Sequence, residues 1–358
     1  MSDRSADFWI DSANSSVQPR ADIRIAATIL TAVEPLDAQR GVFPVKSVPD
    51  DLHRHLFPQP PEASQLYAIL DGAKIDGLPE LLAASGVPYR CLFKGKAEAE
   101  FGNVAPWLVE LQGGDRLLRQ LLTRSDARQH LWNLEAALYL RSSSGLDAVW
   151  RHLRRFSQLQ DDAGQWTFFR FWQADILLDL LVHDHDGTVL ADAFMAGGLN
   201  CQIDRIIGFD RDGEGAVVAL SERTDEEPTP VPRLEGRLSE ALIAALRRRR
   251  SRQIADMLRK DFERELAEWS LPDLRRAVDT SLLRMQHYRF TSLPLLYTLA
   301  AWELFYGPLD RIPDPEGALQ RTLSSYLSEQ RKFRRVRDRL MQLQPLKSSK
   351  GSVDDLDP

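Results

Sequence analysis

Short apolar runs and amphipathic stretches alternate between Leu66 and about Asp184, the pattern of a compact α/β unit. Leu66 to Leu70 is mostly apolar and stops at Asp71-Gly72, which predicts a buried strand and a turn. Leu78, Leu81 and Leu82 have helical spacing over Leu78 to Ser85, and Gly86 suits the position after a helix. Pro88 to Phe93 and Ala105 to Leu111 predict two more strands. Asp115 is placed to cap a helix that carries Leu117, Leu118, Leu121 and Leu122 on one face. Leu134 to Leu140 predicts a strand, and the helix after it runs to about Phe156. Its apolar stripe is Leu146, Val149, Trp150, Leu153 and Phe156, and its other face carries Arg151, His152, Arg154 and Arg155. Ser142, Ser143 and Ser144 offer the N-cap of that helix, with Asp147 as the acid of a shortened capping box. The sequence WTFFRFW from Trp166 to Trp172 predicts an aromatic strand, packed in a core or offering one face to a partner. A short helix follows from Ala174 to Val182.

The flanks differ in character. Residues 1–20 are polar and read as frayed, Ile23 to Val33 reads as a strand, and Pro44, Pro49, Pro58, Pro60 and Pro61 then break the chain repeatedly. Downstream, Ile203 to Phe209 and Ala216 to Leu220 predict strands joined by a hairpin turn at Asp212-Gly213. Residues 221–233 are acidic and then proline-rich. Four helices follow: Leu238 to Trp269, Leu271 to Tyr288 with Pro272 in its first turn, Ser292 to Phe305, and Pro315 to Leu343. The expected organisation is a lead-in over 1–65, an α/β lobe over 66–220 (a mixed sheet with flanking helices), a linker over 221–235, an all-α lobe over 236–345 and a disordered tail over 346–358.

With 358 residues, 43% hydrophobic and 27% charged, the chain reads as globular and long enough for two domains. The longest apolar run, Leu293 to Leu304, is interrupted by Thr298 and Glu303 and falls short of the roughly 20 residues of a membrane span. MSDRSADFWIDSANSS has no apolar segment of the signal-peptide kind, so a cytoplasmic protein is expected. Cys91 and Cys201 lie in apolar stretches and read as buried free thiols. Charge is uneven: residues 1–235 hold 23 Lys and Arg against 35 Asp and Glu, whereas 236–345 hold 21 against 14. An acidic front and a basic back imply lobes with different electrostatic partners, or lobes that attract each other.

Catalytic patterns are weak. His53 and His55, and the run His183-Asp184-His185-Asp186, supply metal-ligand atoms, but no third ligand can be named from spacing, so surface turns and no metal are expected. Ser142 to Gly145 lacks the glycines of a nucleophile elbow, and neither a dinucleotide nor a P-loop glycine pattern occurs. Asp71, at a strand end, reads as a turn residue bonding nearby backbone. No cofactor and no catalysis are expected. The basic runs are sharper: Arg247, Arg248, Arg249, Arg250 and Arg252, and RKFRRVRDR from Arg331 to Arg339. They are open to three readings: solvated helix faces, a docking surface for an acidic protein, or a nucleic-acid footprint, which the pI near 5.7 disfavours.

LYAILDGA (Leu66 to Ala73), YRCLFKG with VAPWLVEL (Tyr89 to Leu111), LYLRSSSGLDAVWRHLRRF (Leu138 to Phe156) and WTFFRFWQADIL (Trp166 to Leu177) resemble, in order and spacing, the type VI secretion chaperone/adaptor family, domain of unknown function 4123. The resemblance covers about residues 66–184. The helical stretch from about 237 to 343 is similar in character to the family's C-terminal lobe. One departure is visible: Phe171-Trp172-Gln173-Ala174 stands where the family commonly has Tyr/Phe-Asp-Pro. The resemblance implies a non-enzymatic cytoplasmic adaptor that binds a toxic effector and promotes its loading onto the VgrG spike. From charge, the expected partner-binding residues are Arg151, Arg154 and Arg155, together with Arg247, Arg248, Arg249, Arg250 and Arg252. The rival expectations are a nucleic-acid-binding regulator using the basic helices, and a hydrolase in which three or more of His53, His55, His183, His185 and Asp71 converge.

Overall fold

The structure, a computed structural model, describes residues 25–58, 64–183, 188–195, 201–221 and 230–343. It divides into two compact units between Ala245 and Leu246.

The first unit is built on a seven-stranded sheet. Its strands are β1 (Ile25–Leu30), β2 (Gln65–Asp71), β3 (Tyr89–Cys91), β4 (Pro106–Leu111), β5 (Ala137–Ser142), β8 (Ile203–Phe209) and β9 (Gly215–Leu220). A separate two-stranded hairpin pairs β6 (Gln158–Gln160) with β7 (Trp166–Phe168). The sheet order is β1-β9-β8-β5-β2-β4-β3. The two-lobe class expected from sequence holds, and within it every pair in this sheet is antiparallel. The alternation of strand and helix nonetheless has a reason. β2 and β3 both run antiparallel to β4 between them, so the helix joining them makes a crossover between like-directed strands that skips one place.

The helices of this unit are α1 (Asp50–Leu56), α2 (Leu78–Ser85), α3 (Lys96–Phe101), α4 (Arg116–Leu121), α5 (Leu146–Arg154), α6 (Ala174–His183) and α7 (Thr188–Met195). Both faces of the sheet are covered. Leu66, Ala68 and Leu70 of β2 join one buried cluster with Leu52, Leu56, Leu78, Leu82, Leu117 and Leu118. Tyr67 and Ile69 join another with Val149, Leu153, Leu177 and Phe194. Period-two alternation thus distributes a continuous apolar run between two cores, which is why LYAIL carries no polar positions.

Several expected elements are corrected. The lead-in contains α1, whose Leu52 and Leu56 are buried and whose seven residues are too short to show a period. WTFFRFW is not one strand: only Trp166–Phe168 is extended, while Phe169, Phe171 and Trp172 turn into the core. The serines do not cap α5; its N-cap is Gly145, and the Ser142 hydroxyl donates to the Gln202 carbonyl at 2.5 Å. Asp115 occupies the N-cap of α4, but its carboxylate accepts from the Gln112 N–H at 2.6 Å rather than from the helix. His152, expected beside the exposed arginines, is 4% exposed. Gly72 has a packing reason, since a Cβ there would lie 2.5 Å from the Ala105 carbonyl oxygen. The readings of residues 1–20, His185 and the tail lie outside the described residues, as do most of 221–233.

Helix α8 (Gly236–Asp261) contains the division between the units. It ends at Asp261, not Trp269. In the first unit, Leu238, Ala241, Leu242 and Ala245 pack with the cluster around Val149. The second unit holds the rest of α8 with α9 (Leu271–His287), α10 (Leu293–Tyr306), α11 (Ala318–Leu323) and α12 (Glu329–Leu343). Ser270 caps α9, its hydroxyl accepting the Asp273 N–H at 3.2 Å, and Pro272 sits in the first turn. Helix α10 is buried continuously from Leu295 to Glu303, as its mostly apolar circumference requires, and it takes Thr298 and Glu303 into the interior with it. The single helix expected over Pro315 to Leu343 is two. Around the break the Ser325 hydroxyl bonds the Thr322 carbonyl at 2.6 Å, a local bond that competes with the helix.

Candidate functional site

Helix α5 carries the site. Its indole, Trp150, donates Nε1–H to the Cys91 carbonyl at 2.6 Å, tying the helix to the end of β3. Two guanidinium groups lie against the same ring: that of Arg90 is 4.1 Å from the centroid and that of Arg154 is 4.7 Å. Each such contact contributes roughly 0.5–2 kcal/mol, more where water is excluded. Arg90 also pairs with Asp147, and Arg154 donates Nε–H to the Leu92 carbonyl at 3.1 Å. These bonds hold both cations in place before any partner arrives. Arg151 and Arg155 flank them as exposed charges.

The hairpin continues the surface. Phe93, one residue beyond Leu92, lies 6.4 Å from Phe168 and 6.5 Å from Trp172 between ring centroids. Trp172 is buried, but Trp166 is 66% exposed and Phe168 61%. They stand at i and i+2 on β7, hence on one side of the strand. Two open aromatics beside an Arg-clasped indole have the composition of protein-binding hot spots.

The other expected residues are placed as follows. In the helical unit Arg247 pairs with Asp279 at 3.0 Å, and Arg250 donates to the Thr291 carbonyl at 3.2 Å. Arg248, Arg249 and Arg252 are half-buried and also engaged. In the second basic run, Lys332 is buried, donates to the Tyr288 carbonyl and sits over Phe290. Arg339 pairs with Asp314 at 2.5 Å and Glu316 at 3.2 Å, and holds the Asp314 carboxyl well below the usual carboxylate range. Part of the basic charge is therefore neutralised inside its own unit.

The candidates for catalysis do not converge among the described residues. His53 and His55 lie in α1. Burial, followed by Arg54 and Arg205, lowers the His55 pKa. Asp71 bonds the Ala73 N–H at 3.1 Å in its own turn. No group of three or more His, Cys, Asp or Glu that could hold a metal occurs among the described residues; Asp184, His185 and Asp186 lie outside them. Burial pushes the thiols of Cys91 and Cys201 up to about 11, which keeps both protonated near neutral pH.

The site lies in a stretch with relatives. Residues 66–186 match the family described as Domain of unknown function (DUF4123). The match spans about a third of the chain, from β2 to just past α6, and takes in Arg90, Trp150, Arg154, Trp166 and Phe168. No curated protein and no solved structure matches the chain. No helix among the described residues is long and apolar enough to cross a membrane. Sequence reasoning placed Arg151, Arg154 and Arg155 on one helix. It missed Arg90 and Phe93, which reach the site only through the pairing of β3 with the sheet edge. The i, i+4 spacing of Trp150 and Arg154 was the available signal.

Proposed function

We propose that this chain is a cytoplasmic adaptor that binds a toxic type VI secretion effector and promotes its loading onto the VgrG spike, with no catalytic step of its own. The reading rests on the motif series within residues 66–186. The observation that carries it is the open pair Trp166 and Phe168 beside the Arg90–Trp150–Arg154 cluster, inside that stretch. Exposed rings next to cations that are already fixed supply contact area at low ordering cost. Arg151 and Arg155 add long-range attraction for an acidic partner. Arg247, Arg248, Arg249, Arg250 and Arg252 form a second basic contact stretch in this reading.

The test is affinity capture of the tagged chain from its native host, with mass spectrometry of the co-purifying proteins. The wild type is expected to bring down a spike protein and one large toxin-like chain. Trp166→Ala with Phe168→Ala is expected to lose at least ~90% of the effector, because exposed hot-spot aromatics contribute roughly 2 kcal/mol or more each. Reversing Arg248 and Arg249 to Glu tests the second stretch separately. Recovery of neither protein by folded wild type, or undiminished capture by the aromatic double variant, would refute the proposal.

A further inference from the structure

A second feature lies on the sheet unit, apart from the aromatic surface. The loop around Asp37–Val45, helix α4 and the segment Thr123–His130 line a half-open cavity of about 480 Å³. Its volume is in the range of small-molecule sites. Its lining includes Arg40, Arg116, Arg119 and His130, against one carboxylate, that of Asp37. None of the three guanidinium groups has a hydrogen-bond or ion-pair partner among the described residues, in contrast to Arg247, Arg284 and Arg339.

The walls are fixed by other bonds. The Gln39 side chain clasps Lys46 in both directions, donating to its carbonyl at 2.9 Å and accepting its N–H at 2.7 Å. Leu36 bridges to the end of α4: its N–H donates to the Leu122 carbonyl at 2.9 Å, and its carbonyl accepts the Arg124 N–H at 2.8 Å. The Leu131 N–H closes the third wall on the Gln120 carbonyl at 2.8 Å. His130 is oriented as well. The Ser125 hydroxyl oxygen accepts the Ala127 N–H at 3.1 Å and lies 2.5 Å from His130 Nδ1. The hydroxyl keeps a second lone pair and its own proton, so it meets Nδ1 in either ring tautomer, and where it donates there the ring N–H lies at Nε2, a further donor. Asp37 is partly occupied in accepting the Gln39 N–H at 2.8 Å.

We propose that this cavity is a binding site for a small, multiply charged anion with phosphate or carboxylate groups, held by Arg40, Arg116 and Arg119 with His130 as an additional donor. The forked guanidinium donors match both oxyanion types, and the polar lining suits a hydrophilic ligand. This site is independent of the effector surface, so the two proposals stand or fall separately.

Isothermal titration calorimetry on the full chain at low ionic strength tests it, with inorganic pyrophosphate and citrate as probes in separate titrations. Saturable one-to-one binding of pyrophosphate identifies a phosphate site, and of citrate alone a carboxylate site; either supports the proposal. Arg116→Gln with Arg119→Gln is expected to weaken binding at least about tenfold, as loss of charge-assisted bonds requires. Arg40→Gln lies on an exposed loop of the opposite wall, is not expected to disturb folding, and is expected to weaken binding several-fold. No saturable heat with either anion, or isotherms unchanged in both variants, would overturn it.

Discussion

Acidification is expected to destabilise the sheet unit through one residue, His152. The imidazole is buried among Phe156 and Phe194, with ring centroids 5.3 and 6.3 Å away, and Nε2–H donates to the Phe194 carbonyl at 2.8 Å. Burial lowers its pKa to about 4; the Phe194 bond opposes this and Arg155 adds to it. An unfolded chain carries the ordinary value near 6.5, so between pH 6.5 and 4 the unfolded state holds the extra proton. Stability contributed by keeping this ring neutral is therefore present above pH 6.5 and is lost as pH falls towards 4. The full span corresponds to ~3 kcal/mol, of which ~2 kcal/mol is lost between pH 7 and pH 5. Hydrogen exchange by mass spectrometry, read on peptides across Ala137–Ser142 and corrected for intrinsic rates, reports this unit without interference from the helical one. The wild type is expected to lose that ~2 kcal/mol of protection, and His152→Gln, which keeps a donor towards Phe194, is expected to lose little. Parallel pH profiles for the two proteins, within ~0.5 kcal/mol, would show that the ring is not held neutral by burial.

Two further predictions concern buried cations and anions. Arg141, 4% exposed, donates to the Leu56 carbonyl at 2.7 Å and to the Ser64 carbonyl and hydroxyl at 2.7 Å each. Arg141→Met strands two buried carbonyls and is expected to cost roughly 2–5 kcal/mol in urea unfolding, with a loss below 0.5 kcal/mol counting against the assignment. In the helical unit Glu303 accepts from the Leu309 N–H at 3.0 Å and from Arg284 at 2.5 Å, and the bond to Arg284 raises the Arg284 pKa. Glu303→Ala is expected to cost ~2–3 kcal/mol, discounted because Arg284 is a quarter exposed, and to lower the melting temperature of this unit in calorimetry.

The elements legible in the sequence were those whose environment repeats along the chain. LYAIL reads as a strand because both faces of β2 are buried, and α5 reads as a helix because Val149, Trp150 and Leu153 recur at its period. Strand order was not legible, since a crossover that skips a place leaves the same local pattern as one that does not. Helix α1 and strand β6 are too short to display a period. His152 was assigned to solvent because its neighbours are arginines; its burial depends on Phe194, 42 positions on. At the site the arginines of α5 could be read from charge, whereas Arg90 and the cavity walls meet only through tertiary pairing.

The placement of β1 has a consequence for how the chain is made. Among the described residues, β1 pairs with β9 alone, and Ile25 meets Leu220, 195 positions later. A ribosome adding ~5–20 residues per second leaves IAATIL unpaired for about 10–40 s while β2 to β8 emerge. That segment is uncharged, and its unpaired backbone is a template for another chain over the same interval. Slowing synthesis between β1 and β9 therefore lengthens the window in which nascent chains aggregate, even though the finished sheet is unchanged.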